Sequence, residues 1–251
     1  MSIVSIPFTT YSASIREVLD QLRAGNVFAK QTQILIKPNL VNASPHPITT
    51  PPACCEAIVQ FIKAHSDARI IIGEGCGDSV LETDQIFDEL GYREMVERYS
   101  VELVDLNHAP LRKLRREDCL IFPTMMLPEI VFESYLISVP VLKAHSLAKI
   151  TGTLKNMMGI APPKYYSGKG GVWKKAIFHQ NMQQSIFDLN QYRTPDLSIM
   201  DATIGMAEFH LGGRSCDPPL NRIVAGFNAK RVDREAAAML NFDWSSIEHL
   251  C

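Results

Sequence analysis

The run Gln33-Ile34-Leu35-Ile36-Lys37-Pro38-Asn39, the helical stretch Pro52–Ala64 and the second run Arg69-Ile70-Ile71-Ile72 together decide the fold class. Each run is short, apolar and rich in β-branched residues, so it reads as a strand buried on both faces, with a helix crossing between the two. Working outward, Val101–Leu106, Tyr135–Leu142, Leu197–Met200 and Arg222–Ala225 read as further strands. Helical spacing occurs in Ala13–Leu22, Asp84–Tyr99, Gln180–Leu189 and Asp233–Leu240. Strands alternating with helices predict an α/β fold, with a largely parallel sheet covered by helices on both faces and right-handed crossovers.

Local signals refine this reading. Thr49-Thr50-Pro51-Pro52 places a capping hydroxyl before prolines that suit a first helical turn, and Glu56 follows in the early turns. Gly91 fits a helix end and divides Asp84–Tyr99 into two helices. Residues 107–134 contain Pro110, Pro123 and Pro128 without a clean period, which predicts an irregular connection or a small antiparallel flap. The whole chain, 1–251, reads as a single α/β domain with a lid-like loop at about 162–178. A homo-oligomer is compatible with this reading.

With 251 residues, 46% of them hydrophobic and 21% charged, the chain has ample material for a core and is neither disordered nor fibrous. No run approaches the ~18 apolar residues of a membrane span, and the start shows no secretory pattern, so a cytoplasmic protein is expected. The six cysteines, at 54, 55, 76, 119, 216 and 251, include no C-x-x-C pair, which disfavours a local zinc or iron–sulfur motif. Cys54-Cys55 reads as one buried and one exposed thiol.

In an open parallel sheet, ligands bind beyond the carboxyl ends of the strands. There the sequence delivers Lys37-Pro38-Asn39, Glu74 within Gly73–Asp78, Asp105, Lys143-Ala144-His145 and Asp201. Pro38 fixes the path by which the chain leaves its strand. The glycines at 73, 75 and 77 match neither nucleotide-loop pattern, so their expected role is to turn the backbone and bring Glu74 to the cleft.

Charge gives the strongest signal. From Ser134 to Phe187 there is no Asp, Glu or Arg but there are seven lysines, at 143, 149, 155, 164, 169, 174 and 175. The remainder of the chain therefore carries −9 against a total of −2. A single-sign field over a cleft concentrates an anion. Without arginine or regularly interleaved aromatics, nucleic acid is a poor fit, and a small carboxylate or phosphate is the expected ligand. Lys169, Lys174 and Lys175, among glycines, read as lid or ordinary surface. Lys143 and His145 alternate along a strand end and so share a side. A partly desolvated lysine near another lysine can titrate near neutrality, and histidine does so unaided. Lys155-Asn156 and Thr151-Gly152-Thr153 follow on a helix or turn returning over the strand ends, and His179 completes the set.

Several segments resemble a known family in order: Ile34–Val41, Gly73-Glu74-Gly75, Val104-Asp105-Leu106, Pro140–His145, Thr151–Gly159, Phe178-His179 and Ile199-Met200-Asp201. Together they resemble the family catalogued as domain of unknown function 362 (DUF362), over about Ile34 to Leu240, as a stand-alone member without the ferredoxin-like iron–sulfur module of many relatives. The general plan is also similar to that of the lactate racemase catalytic subunit, which holds a nickel-pincer cofactor using lysine and histidine. One departure stands out. Where the family has E-G-x-G-P, this chain reads Glu208-Phe209-His210-Leu211-Gly212-Gly213. Asp233 is expected to open the last helix.

These readings converge on an enzyme doing acid/base chemistry, such as isomerisation, elimination, addition or cyclisation, on a small anionic substrate. The expected catalytic residues are Lys143, His145, His179 and Glu74. The expected binding residues are Lys37, Asn39, Lys155, Asn156, Thr151, Asp201 and Glu208. No cofactor is expected, with a divalent cation on Glu74 and Asp201 as the alternative. Two other functions fit the same residues: a redox protein served by a separate iron–sulfur or flavin partner, and a non-catalytic anion binder.

Overall fold

Residues 3–168 and 173–251 are described by a computed structural model. Its strands are β1 (Ile3–Pro7), β2 (Gln33–Pro38), β3 (Arg69–Glu74), β4 (Val101–Asp105), β5 (Leu111–Arg115), β6 (Thr124–Pro128), β7 (Tyr135–Val139), β8 (Val141–His145), β9 (Lys149–Thr151), β10 (Leu197–Met206) and β11 (Arg222–Gly226). Its α-helices are α1 (Tyr11–Gln21), α2 (Gly25–Phe28), α3 (Pro52–His65), α4 (Thr83–Glu89), α5 (Tyr92–Glu97), α6 (Ile130–Glu133), α7 (Thr153–Asn156), α8 (Pro163–Tyr166), α9 (Met182–Tyr192) and α10 (Ala229–Met239).

The main sheet runs β1-β11-β10-β7-β2-β3-β4. The β10-β7-β2-β3-β4 segment is parallel, while β11 is antiparallel to both of its neighbours. Alternation along each strand separates the two faces. Ile34, Ile36, Ile70 and Ile72 pack with apolar residues of α1, α3, α4 and α5 on one side. Leu35, Ile71 and Leu136 pack with α7 and α9 on the other. The fold is thus α/β, and the apolar runs are continuous because both faces are covered. The 107–134 segment supplies the small antiparallel sheet β5–β6, followed by α6. Gly91 adopts φ 81 between α4 and α5, a left-handed conformation that suits glycine.

Four local expectations need correction, and one strand was not foreseen. Tyr135–Leu142 is two strands, because Pro140 has no N–H for the ladder. Beyond it, β8 pairs with β10 and antiparallel with β9, so Lys143 and His145 lie inside a strand, Lys143 opposite Thr151. The edge strand β1, only five residues long and ending in Pro7, was not predicted. Thr50 does not cap α3. Its hydroxyl donates to the Val139 carbonyl and accepts from Asn39 N–H, and the Thr49 hydroxyl donates to Ser44 O. Cys54 and Cys55 are both buried, because α3 packs into the core over most of its circumference. The last helix starts earlier than expected, capped by Asn228, so Asp233 lies inside it.

Candidate functional site

A cavity of about 460 Å³ opens where β2, β3 and β8 end and α7 returns over them. Its wall includes Lys37, Asn39, Glu74, Lys143, Thr151, Lys155, Asn156, Lys175, His179 and His210. Glu74 is the only acidic residue among the described lining residues.

Lys37 leaves β2 pointing at Glu74 on the neighbouring strand. Its ammonium lies 2.8 and 2.9 Å from the two carboxylate oxygens and also donates to Pro38 O and Asn156 Oδ1. Glu74 accepts further from the Leu40 and Gly75 backbone N–H groups. Burial pushes Lys37 below its ordinary value, and Glu74 holds it up. The chain passes close over this pair at Gly159, where a methyl group would run into both side chains. Asn156 secures the arrangement, its amide donating to Lys37 O and Ser138 Oγ. Lys37, Glu74 and Asn156 are therefore engaged with one another.

Three other lysines are differently placed. Lys143 Nζ donates to Asn39 Oδ1 and Ile48 O, each at 2.6 Å. Burial pushes it down to about 7, helped by the charge of Lys155. Lys175 Nζ donates to Asn107 Oδ1 and Ala161 O, and burial brings it down to about 7. Lys155 stands on α7, whose first N–H groups are capped by the buried Asp233 carboxylate, from Thr153 N at 2.6 Å and Leu154 N at 2.9 Å. Burial alone lowers it to about 8. Thr151, across the ladder from Lys143, has a buried hydroxyl without a hydrogen-bond partner.

The histidines divide by tautomer. His145 Nδ1 accepts from the Leu147 and Ala148 N–H groups, so in the neutral ring the proton sits on Nε2, which is buried and unpartnered. Burial and the surrounding cations press its pKa down to about 2. His145 is thus a neutral donor with no lone pair to spare. It lies behind the wall, covered by the stacked ring of His210 at 4.0 Å. His179 is the opposite case. Its Nδ1 meets the Lys175 carbonyl at 3.3 Å and so carries the proton, which leaves the Nε2 lone pair free.

Two expected residues are elsewhere. Asp201 is fully buried and accepts from the Tyr11 hydroxyl and from Thr203 N and Oγ1, with His46 at 3.4 Å. Glu208 pairs with Arg214 on an exposed turn. Neither is among the described lining residues. β10 runs on past Asp201, so that carboxylate never reaches a strand end. Glu74 and Asp201 belong to separate hydrogen-bond networks, Glu74 with Lys37 and Asp201 with Tyr11 and Thr203. Glu82, Asp105 and His108 do bring ligand atoms within 4.8 Å of one another. Lys174 already lies on Glu82, and the Thr83 hydroxyl donates to Asp105. Nor does the Lys143–His145 pair fit a nickel group held by lysine and histidine, because the His145 lone pair is taken by backbone N–H groups.

Lys175, His210 and Asn107 escaped the sequence reading. Lys175 sits beside a glycine-rich loop whose composition suggests surface, yet it is buried. His210 showed only as a departure from the family pattern. Of the lid-like loop, residues 169–172, including Lys169, lie outside the described residues; Pro163–Tyr166 form α8, and Trp173 and Ala176 line the cavity. Lys174, read as surface, spans Leu81 O, Glu82 and Cys76. Burial raises the Cys54 and Cys55 thiols, Cys55 to about 12, which keeps both protonated. Among the described residues, no helix is long and apolar enough to cross a membrane.

A family model described as domain of unknown function (DUF362) matches residues 34–238. No curated protein matches. Among solved structures, the lactate racemase apoprotein from Thermoanaerobacterium thermosaccharolyticum is similar at 12% identity and TM-score 0.54, over 97% of this chain and 57% of that one. A Thermotoga maritima protein solved by structural genomics is similar at 11% identity and TM-score 0.57, over 94% and 59%. The likeness is one of fold, and the chain spans less than three fifths of either structure.

Proposed function

The chain belongs to the DUF362 family, and on that premise we propose that it is an enzyme moving protons on a small organic anion, by isomerisation, elimination, addition or cyclisation. One observation carries this reading. Lys143, Lys155, Lys175 and His179 line one cavity whose single described carboxylate, Glu74, is already committed to Lys37. The three lysines offer positive charge, largely desolvated, to a guest and to negative charge that develops on it. His179 Nε2 has the free lone pair of a general base, and Lys143, poised near neutrality, suits a general acid. Leu40, Val41, Met158 and Trp173 in the same wall favour a carboxylate with an apolar body over bare phosphate. The Lys37–Glu74–Asn156 group orients the floor, with Asn39 steadying Lys143. His145, as a neutral donor behind His210, would act as a positioning residue.

The experiment is solvent exchange. Small carboxylates are incubated with the protein in deuterium oxide and followed by proton NMR. Loss of a carbon-bound proton signal that requires His179, with carboxylate binding retained in His179→Ala, is the expected result. Binding without exchange for every carboxylate tried would leave an anion-binding protein and overturn the enzymatic reading.

A further inference from the structure

We propose that Lys155 is a nucleophile that condenses with the carbonyl of a 2-oxo acid to form an imine, because its amine alone among the described lysines of the cavity wall is held by no hydrogen bond. The proposal rests on the reading of this cavity as an anion site and adds covalent chemistry to it.

The four described lysines of the wall are not equivalent. Lys37 is fixed by Glu74, Pro38 O and Asn156. Lys143 is fixed by Asn39 and Ile48, and Lys175 by Asn107 and Ala161. None of the described residues accepts a hydrogen bond from Lys155, and no carboxylate pairs with it. An ammonium at this place in the wall has no counter-ion among the described residues, and burial lowers Lys155 to about 8, which raises the share of neutral amine above that of an ordinary lysine. A lysine desolvated beside another cationic group is an activated nucleophile. Lys143 is that neighbour, and its titration responds to Lys155. The base of Lys155 is firm, because Asp233 caps the helix that carries it.

The step balances without a redox partner. The Lys155 nitrogen lone pair forms a bond to the carbonyl carbon, and the carbonyl π pair moves to oxygen, which takes a proton from Lys143. As an ammonium, Lys143 has three protons and uses two on Asn39 and Ile48. The nitrogen pair then expels the hydroxyl, which leaves as water with a second proton, the one the attacking nitrogen sheds. The products are one imine and one water. The cationic imine draws electrons from the adjacent carbon, which eases removal of its proton by His179. The remaining lysine charge holds the carboxylate of the same substrate.

Reductive trapping tests this on the intact chain. The protein is treated with pyruvate or phenylpyruvate and sodium cyanoborohydride, then read by intact mass and peptide mapping. Binding of the same acids is measured by calorimetry without reductant. One reduced adduct per chain, located on Lys155 and absent in Lys155→Arg, is expected. A dominant adduct on Lys143, Lys175 or surface lysines overturns the assignment. No adduct with binding intact overturns the imine while sparing the anion site, and no adduct with no binding overturns both.

Discussion

Lys37 Nζ lies 2.8 and 2.9 Å from the two carboxylate oxygens of Glu74, with both side chains buried at the adjoining ends of β2 and β3. Because the charges cancel there, the cavity's net field comes from Lys143, Lys155 and Lys175. A pair of this kind supports the site more than it binds the guest.

Breaking that pair on one side strands a buried charge. Lys37→Met is expected to lose about 3–5 kcal/mol of stability, and the double variant Lys37→Met/Glu74→Leu to recover most of it. Urea denaturation of the single and double variants checks this. Equal losses in both would show that the pair is not a closed unit.

Gly159→Ala should be costly for a related reason, since the added methyl meets both members of the pair and the surrounding chain must shift. A loss of about 1–3 kcal/mol is expected in the same denaturation series. A neutral result would mean that the chain at Gly159 does not lie as close as described.

Proton uptake should accompany anion binding. Lys143 and Lys175 at about 7, and Lys155 at about 8, lie below the ordinary lysine value of 10.5. Their folded pKa values are depressed, so between about pH 7 and 10.5 the unfolded chain binds more protons. Their contribution to stability is full above 10.5 and is lost as pH falls through the folded values. The stability of wild type relative to Lys155→Met should therefore rise by up to about 1.4 kcal/mol per pH unit above pH 8. A bound anion reverses the shift, so calorimetry in Tris and in HEPES at pH 8 should reveal net proton uptake and an affinity that falls toward pH 9. Buffer-independent heats would contradict this.

His145 should remain neutral with its proton on Nε2 throughout pH 5–9, whereas an ordinary histidine titrates near 6.5. Nitrogen-15 NMR of the ring distinguishes the tautomers. A titrating His145, or one protonated on Nδ1, would show that the Leu147 and Ala148 N–H groups do not hold it as found.

The core of the fold could be read from sequence because strands buried on both faces leave continuous runs such as Ile34–Ile36 and Ile70–Ile72. The site was partly legible for the same reason: Lys37, Glu74 and Lys143 follow or end such runs. What stayed hidden depended on tertiary partners. Asp201 looked like a strand end because Met200 ends the apolar run, yet β10 continues past it to Met206. Lys175 has the local composition of a surface loop, and its burial is set by Asn107 and Ala161, 68 and 14 residues away. No local pattern signals that Glu74 is consumed by Lys37, nor which nitrogen of His145 carries the proton.

The central claim is that Lys143, Lys155 and Lys175 together attract an anion into this cavity. Anomalous diffraction from crystals soaked in sodium bromide tests it most directly. A strong bromide peak within hydrogen-bonding reach of the Lys155 and Lys143 ammonium groups, lost in Lys155→Met, is the predicted result. Peaks confined to the outer surface, with the cavity empty of bromide, would contradict it.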